Sequence, residues 1–286
     1  MHIILGGTGH VGSALAEALL VRGEAVTVVT HDSGKASRWR RRGAVAAIVD
    51  VRDVNALREV FRRGRRVFLL NPPAAPGTDT DAEEKSSLSA ILTALDGSGL
   101  EKVVAESTYG AQPVERCGDL GILYDMEQAL AMQPIPASII RAAYYMSNWD
   151  SALATAKNEG VVRTLYPADF LLPMVAPRDL GRVACRLLTD SVESIGLHHV
   201  EGPRKYSADN VAAAFSTALQ KPVRVEVTPR EQWVDAFEAM GFSTPAAESY
   251  ARMTGLTLDG VYHQPDTPLR GDITLQEYIA TLVQQG

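Results

Sequence analysis

At 286 residues the chain has room for one large domain, or a large and a small one, and with 46% apolar and 22% charged residues it has the composition of a folded protein and not of a disordered one. Its net charge of -6 speaks against a chain built to coat nucleic acid, whose binding domains carry a basic excess. Two distant cysteines, Cys117 and Cys185, supply neither a disulfide framework nor metal-ligand spacing, and no stretch approaches the roughly 20 apolar residues of a membrane span, so a cytoplasmic chain without signal segment or metal is expected.

In chain order, HIIL (2–5), AVTVVT (25–30), AAIVD (46–50), RVFLLN (66–71), KVVAES (102–107) and ASIIRA (137–142) read as strands. Between them GSALAEALLVRG, VNALREVFRRG, DAEEKSSLSAILTALDGSG and GILYDMEQALAMQ carry apolar residues at helical spacing. Continuous apolar strands alternating with helices predict a doubly wound parallel α/β sheet covered on both faces. After residue 145 the rhythm breaks. RDLGRVACRLLTD (178–190) reads as a helix returning to the first domain, and residues 207–242 read as helix, strand, helix, with Ser207 as an N-cap and Pro229 in a first turn. The expected division is residues 1–145 with about 174–200 in the α/β domain, and about 146–173 with 201–286 in a smaller α+β substrate or lid domain.

The first strand runs into glycines that fit two registers, Gly7-Gly9-Gly12 and Gly6-Gly9-Gly12. Because the strand ends at Leu5, Gly6 takes the tight turn, Gly9 the close approach of a diphosphate, and Gly12 the contact between helix and strand. Backbone N–H groups from Gly9 through His10 and Val11 then face the diphosphate at the positive end of a helix, with the Thr8 hydroxyl beside them. A strand before the loop, a helix after it and a second strand within one short unit are the context in which this pattern signals a dinucleotide site. NAD sites usually place an acidic residue at the end of that second strand. Here the strand ends at Thr30, Asp32 comes two residues later, and His31 and Lys35 offer groups for a 2′-phosphate, so NADP(H) is favoured over NAD(H). A plain solvated loop at HDSGK is the competing reading.

GGTGHVG, HDSGKA, VDVRD (49–53), VFLLNPP (67–73), STYGA (107–111), RAAYYMSN (141–148) and RDLGRVACRLL (178–188), in this order and spacing, resemble the NmrA-like family of atypical short-chain dehydrogenases and reductases. The tail GPRKYSADNVAAAFSTALQKPVRV (202–225) is similar to that family's smaller C-terminal domain. The resemblance implies a Rossmann-like domain with a small lid over the nicotinamide, and either an NAD(P)H-dependent reductase of quinones, dyes or enones or a dinucleotide-binding redox sensor. It further implies that Asp50, Val51 and Asp53 lie beside the adenine, that Asn71, Pro72 and Pro73 pass the nicotinamide ribose, and that Ser107 and Thr108 frame the nicotinamide. His31 stands where many NADP-binding relatives carry Arg, and Lys35 matches a basic residue of their loop. For Asp53, a helix N-cap before NALREVF is an equal reading.

Short-chain dehydrogenases typically pair a Ser or Thr with Tyr-x-x-x-Lys, the Lys lowering the tyrosine pKa for proton transfer. Ser107 and Thr108 are the candidates for the first part and Tyr124 for the second, yet four residues after Tyr124 stands Gln128. That departure argues against alcohol dehydrogenase or sugar epimerase chemistry and leaves quinone reduction open. Glu127 matches an acidic position of the family, in a site role or in a helix or domain contact. Tyr109, Tyr144, Tyr145, Asn148, Trp149 and Phe170 are candidates to receive a flat apolar substrate, or to form the hinge and core between domains. The basic runs SRWRRRG and FRRGRRV read as solvated helix ends, His198 and His199 lack partners at ligand spacing, and no G-x-S-x-G elbow supports a hydrolase. The leading expectation is a reductase whose partner is a small planar electron acceptor. The alternative is a redox sensor with a protein partner, and the oligomeric state stays open.

Overall fold

The computed structural model describes residues 1–286. The first part alternates β1 (His2–Ile4), α1 (His10–Val21), β2 (Val26–Thr30), α2 (Ser33–Arg41), β3 (Val45–Ile48), α3 (Val54–Phe61), β4 (Arg66–Leu69), α4 (Thr80–Leu95), β5 (Lys102–Thr108), α5 (Asp119–Ala131) and β6 (Ala137–Ala142). Then come β7 (Tyr144–Tyr145), α6 (Ala152–Glu159), β8 (Val161–Thr164), β9 (Leu172–Val175), α7 (Pro177–Thr189), β10 (Gly196–Glu201), β11 (Lys205–Tyr206) and α8 (Ala208–Leu219). The chain closes with β12 (Arg224–Val227), α9 (Trp233–Ala239), α10 (Thr244–Leu258), β13 (Leu269–Arg270) and α11 (Leu275–Gln285).

Eight strands form one sheet in the order β13-β10-β6-β5-β4-β1-β2-β3, all paired parallel. The order reverses between β1 and β4, the switch point outside whose carboxyl ends Rossmann-like sheets bind ligands. Both faces are covered, which is why the strands are apolar throughout. Ile4, Val28, Phe68, Val104 and Ile140 pack with Leu15 and Leu19 of α1 and Leu180 and Leu188 of α7. Their strand neighbours Ile3, Val29, Val67, Val103 and Ile139 point the other way, onto Leu57, Leu88, Ile91 and Leu130 of α3, α4 and α5. A third core gathers Met146, Trp149, Met174, Tyr206, Phe215 and Ile279 around β7, β9, β11, α8 and α11.

Local signals account for most boundaries. Asp53 caps α3, accepting from the Ala56 N–H at 3.0 Å, and Ser207 and Asn210 form a reciprocal capping box at the start of α8. HDSGK is not an open loop: Asp32 accepts from the Lys35 N–H at 2.9 Å and starts α2, whose Ala36 and Trp39 are buried three residues apart. Pro229 precedes a short 3-10 turn, and α10 and α11 begin at the Ser243 and Thr274 caps. Leu269 and Arg270, expected in the smaller region, pair with β10 at the edge of the large sheet. Five of the eight arginines of the basic runs meet carboxylates or carbonyls: Arg42 pairs with Glu17, Arg62 with Glu59 and Arg65 with Glu101, Arg40 donates to the Ala46 carbonyl, and Arg66 donates to the Leu188 and Asp190 carbonyls.

Candidate active site at the carboxyl edge of the large sheet

Gly6 has a left-handed backbone, φ 64°, and a Cβ there would stand 2.4 Å from Leu70 Cδ2. At Gly12 a Cβ would meet the Gly6 carbonyl oxygen at 2.3 Å, so the helix lies directly on the turn. Gly9 differs from both. It is the exposed N-cap residue of α1, and a Cβ there would meet nothing nearer than the Gly6 oxygen at 3.4 Å. Six other helices have a Ser, Thr or Asp side chain capping their first turn, but α1 has none, and the N–H groups of His10, Val11 and Gly12 have no acceptor in the protein. An uncapped helix start behind an open glycine fits an anionic group such as a diphosphate. Thr8 is partly exposed beside it, and His10 stands 3.8 Å from Asp150.

The loops after the neighbouring strands line up along this edge. His31 and Lys35 are exposed at the start of α2, beside the capping Asp32. Asp50 is exposed and accepts from the Arg52 N–H at 2.9 Å, with Val51 partly exposed next to it. After β4, Asn71 Nδ2 donates to the Glu84 carbonyl at 3.1 Å and the Ala74 N–H donates to Glu84 Oε1 at 3.0 Å, which pins the loop carrying Pro72 and Pro73 to α4.

Four buried acidic clusters sit along or beside β5. Glu127 receives two bonds from Arg141, at 2.9 and 2.7 Å, and one from Ser107. Glu201 accepts from Tyr109 at 3.1 Å and from Arg270 at 3.0 Å. Glu106, 2% exposed, accepts only from the Tyr145 hydroxyl at 2.7 Å, and its Oε2 has no partner. Burial without a cation pushes its carboxyl up to about 7, although the bond from Tyr145 opposes the shift. The fourth cluster joins Glu84 with Asp119 and Tyr250, far apart in the chain. Desolvation and then the Asp119 charge hold the Glu84 carboxyl well above the ordinary range. Asn71 Oδ1 and Asp119 Oδ1 are likewise buried without partners.

The candidate residues fall in different surroundings. Ser107 is buried, and its hydroxyl donates to Glu127. The Tyr109 hydroxyl is bound to Glu201 and its ring packs on the first core, with its proton held above the ordinary phenol range by burial and then by Glu201. Trp149 belongs to the third core, 5% exposed. Thr108 is partly exposed at the end of β5, and Tyr124 is partly exposed on α5; neither hydroxyl bonds to a protein group. Tyr144 leans on Trp149 and Tyr166, Phe170 stacks on Tyr166 at 5.5 Å, and Asn148 is exposed. Tyr144 faces the third core, whereas its neighbour Tyr145 packs against the first core and reaches Glu106. Reading the sequence passed over Glu106, Glu84, Asp119 and Glu201. A carboxylate inside the apolar run KVVAES was the available signal for Glu106, because a fully buried parallel strand rarely carries one.

No helix is long and apolar enough to cross a membrane. The chain is 23% identical over 263 residues to an NAD(P)H azoreductase of Xenophilus azovorans, covering 90% of this chain and 87% of that one. It is 28% identical over 257 residues to a (4-alkanoyl-5-oxo-2,5-dihydrofuran-3-yl)methyl phosphate reductase of Streptomyces griseus, covering 87% and 84%. Its fold superposes on an NADPH-dependent quinone oxidoreductase of Escherichia coli with a TM-score of 0.78 at 18% identity, over 99% of both chains. The model of the NmrA-like family matches residues 2–264, and with the glycine turn, the switch point and the sheet order in place the chain belongs to the NmrA-like family.

Proposed function

We propose that this protein is an NAD(P)H-dependent oxidoreductase that passes hydride to a planar conjugated acceptor of the quinone, dye or enone class. The observation that carries the reading is the start of α1: three N–H groups without acceptors behind an open Gly9, at the switch point of a parallel sheet. The activities of the azoreductase, the dihydrofuranyl-methyl phosphate reductase and the quinone oxidoreductase that this chain is similar to support the acceptor class. In this reading His10, Val11 and Gly12 hold the diphosphate through their N–H groups, Asp50 and Val51 flank the adenine, and Asn71, Pro72, Pro73 and Thr108 border the nicotinamide. The dinucleotide, when bound, supplies the hydride. Tyr144, Asn148 and Phe170 border the acceptor.

NADP(H) is preferred over NAD(H) because the exposed His31 and Lys35 flank the start of α2, where a 2′-phosphate also meets the positive end of a helix. Lys35→Glu should weaken NADPH binding about tenfold more than NADH binding in a fluorescence titration. An equal loss for both cofactors would remove Lys35 from the phosphate site. The reading as a whole is tested by the loss of NADPH absorbance on purified protein with quinones, azo and triarylmethane dyes, and enones. Saturable turnover with one class supports it. A second reading, a redox sensor without turnover, is favoured by Tyr124, which lacks the lysine of the short-chain dehydrogenase pair. It predicts a large difference in affinity between NADPH and NADP+ and no oxidation with any acceptor.

A further inference from the structure

Three carboxylates lie on or beside the carboxyl ends of β5, β6 and β10, and two are neutralised. Glu127 has Arg141 and Glu201 has Arg270. Glu106 has a phenol and nothing else. The groups that surround this pair offer no cation. Tyr145 comes from β7; near Tyr145 lies Asp119 of α5, and beside Asp119 stand Glu84 and Asp81 of α4 and Tyr250 of α10. A buried carboxylate with one hydrogen bond and one bare oxygen is costly when ionised, whereas a neutral acid with an unpartnered C=O costs far less.

The protonation of Glu106 decides where the Tyr145 hydrogen points. If Glu106 is ionised, it can only accept, and the phenol hydrogen is fixed on Oε1. If Glu106 is protonated on Oε1, it donates to the phenol oxygen and leaves the phenol hydrogen free. Tyr145 follows β6 at the ligand-binding edge and keeps part of its surface exposed, while its hydroxyl is buried against Glu106.

We propose that Tyr145 is the catalytic residue that delivers a proton to the acceptor during its reduction, and that Glu106, protonated beneath it, is the positioning residue that turns the phenol hydrogen outward and replaces the proton. The proposal rests on the reductase reading. Hydride carries an electron pair from the reduced nicotinamide dinucleotide, which is oxidised, to the acceptor, which is reduced and whose π electrons move onto a terminal oxygen or nitrogen. The Tyr145 O–H bond breaks as an O–H or N–H bond forms on the acceptor. The Glu106 O–H bond breaks as the phenol is restored, and the resulting carboxylate regains a proton from water after product leaves. A free Tyr145 phenolate is avoided, as it must be where burial and Glu106 hold the phenol proton well above the ordinary range.

The test uses the full chain with Tyr145→Phe and Glu106→Gln, both of which conserve volume. Tyr145→Phe should lower kcat about 100-fold while the fluorescence-measured affinity for NADPH stays the same. In the wild type, kcat should fall as pH rises through about 7, where Glu106 loses its proton. Glu106→Gln should lower kcat about tenfold at pH 6 and remove that fall, because the amide still donates to the phenol but does not titrate. Without any cofactor, the infrared carbonyl band of a protonated carboxylic acid should be present at pH 6, fade through about pH 7 and lose intensity in Glu106→Gln. An active Tyr145→Phe enzyme within threefold of wild type, an unchanged pH profile in Glu106→Gln, or an unchanged infrared band overturns the proposal and leaves the reductase reading standing. NADPH binding with no turnover on any acceptor overturns both.

Discussion

The two edges of the large sheet carry opposite buried charge and treat it differently. At the amino edge Lys102, fully buried, donates to the Leu187 and Ser191 carbonyls at 2.8 and 2.9 Å, and Arg66 donates to the Leu188 and Asp190 carbonyls, so both cations close the end of α7. At the carboxyl edge the buried groups are acids, and all three side-chain oxygens buried without a partner, on Asn71, Glu106 and Asp119, lie there. The difference follows from topology. In a parallel sheet the helices run back against the strands, so their C-termini and carbonyls gather at the amino edge and their N-termini gather at the carboxyl edge. Cations therefore finish one edge from within the protein. The other edge retains N–H groups without acceptors at the start of α1, and acids of which Glu127 and Glu201 meet an arginine while Glu106 meets only a phenol.

The strongest way to break this contrast is Lys102→Met, which leaves the Leu187 and Ser191 carbonyls buried without donors. It should cost about 2–3 kcal/mol in urea unfolding while dinucleotide affinity in the folded fraction stays unchanged. A loss of affinity would mean that the edges are coupled and not separate in function. Next in size is a pair of glycine substitutions. Gly12→Ala drives a Cβ into the Gly6 backbone and should cost about 1–3 kcal/mol, whereas Gly9→Ala should change stability by less than about 0.5 kcal/mol but weaken NADPH binding at least tenfold. Equal behaviour of the two variants would remove the diphosphate from the open side of Gly9.

The third test reads a slope and not a single loss. Glu84 keeps its proton in the folded chain toward about 8, while in the unfolded chain it ionises in the ordinary range near 4.5. Between those values the native state binds more protons, so stability should fall as pH rises through the window, by at most about 1.4 kcal/mol per pH unit for one proton. Glu84→Gln should flatten that fall in unfolding curves taken between pH 5 and pH 8. An unchanged slope would place the Glu84 proton on another group of the acidic cluster.

How much of this was legible depends on distance along the chain. The six strands, the turn at Gly6 and the caps at Asp53 and Ser207 were readable, because apolar alternation, a left-handed glycine and a cap each act within about four residues. The helix α2 was passed over and a solvated loop at HDSGK stood as the competing reading, although Asp32 and the spacing of Ala36 and Trp39 announced a helix. The hydrogen bonds of Ser107 and Tyr109 were not readable. Their partners Glu127 and Glu201 lie 20 and 92 positions away and arrive only when β5, β6 and β10 stand side by side. The same holds for Glu106 and Tyr145, 39 apart. By itself the sequence determined where the backbone turns, which residues face a core and that a helix start lies open behind glycine, since these follow from local periodicity and capping. Only the tertiary structure decided which buried acids meet an arginine and which is left with a phenol, because that pairing is set by the order of strands in the sheet, and no spacing along the chain encodes it.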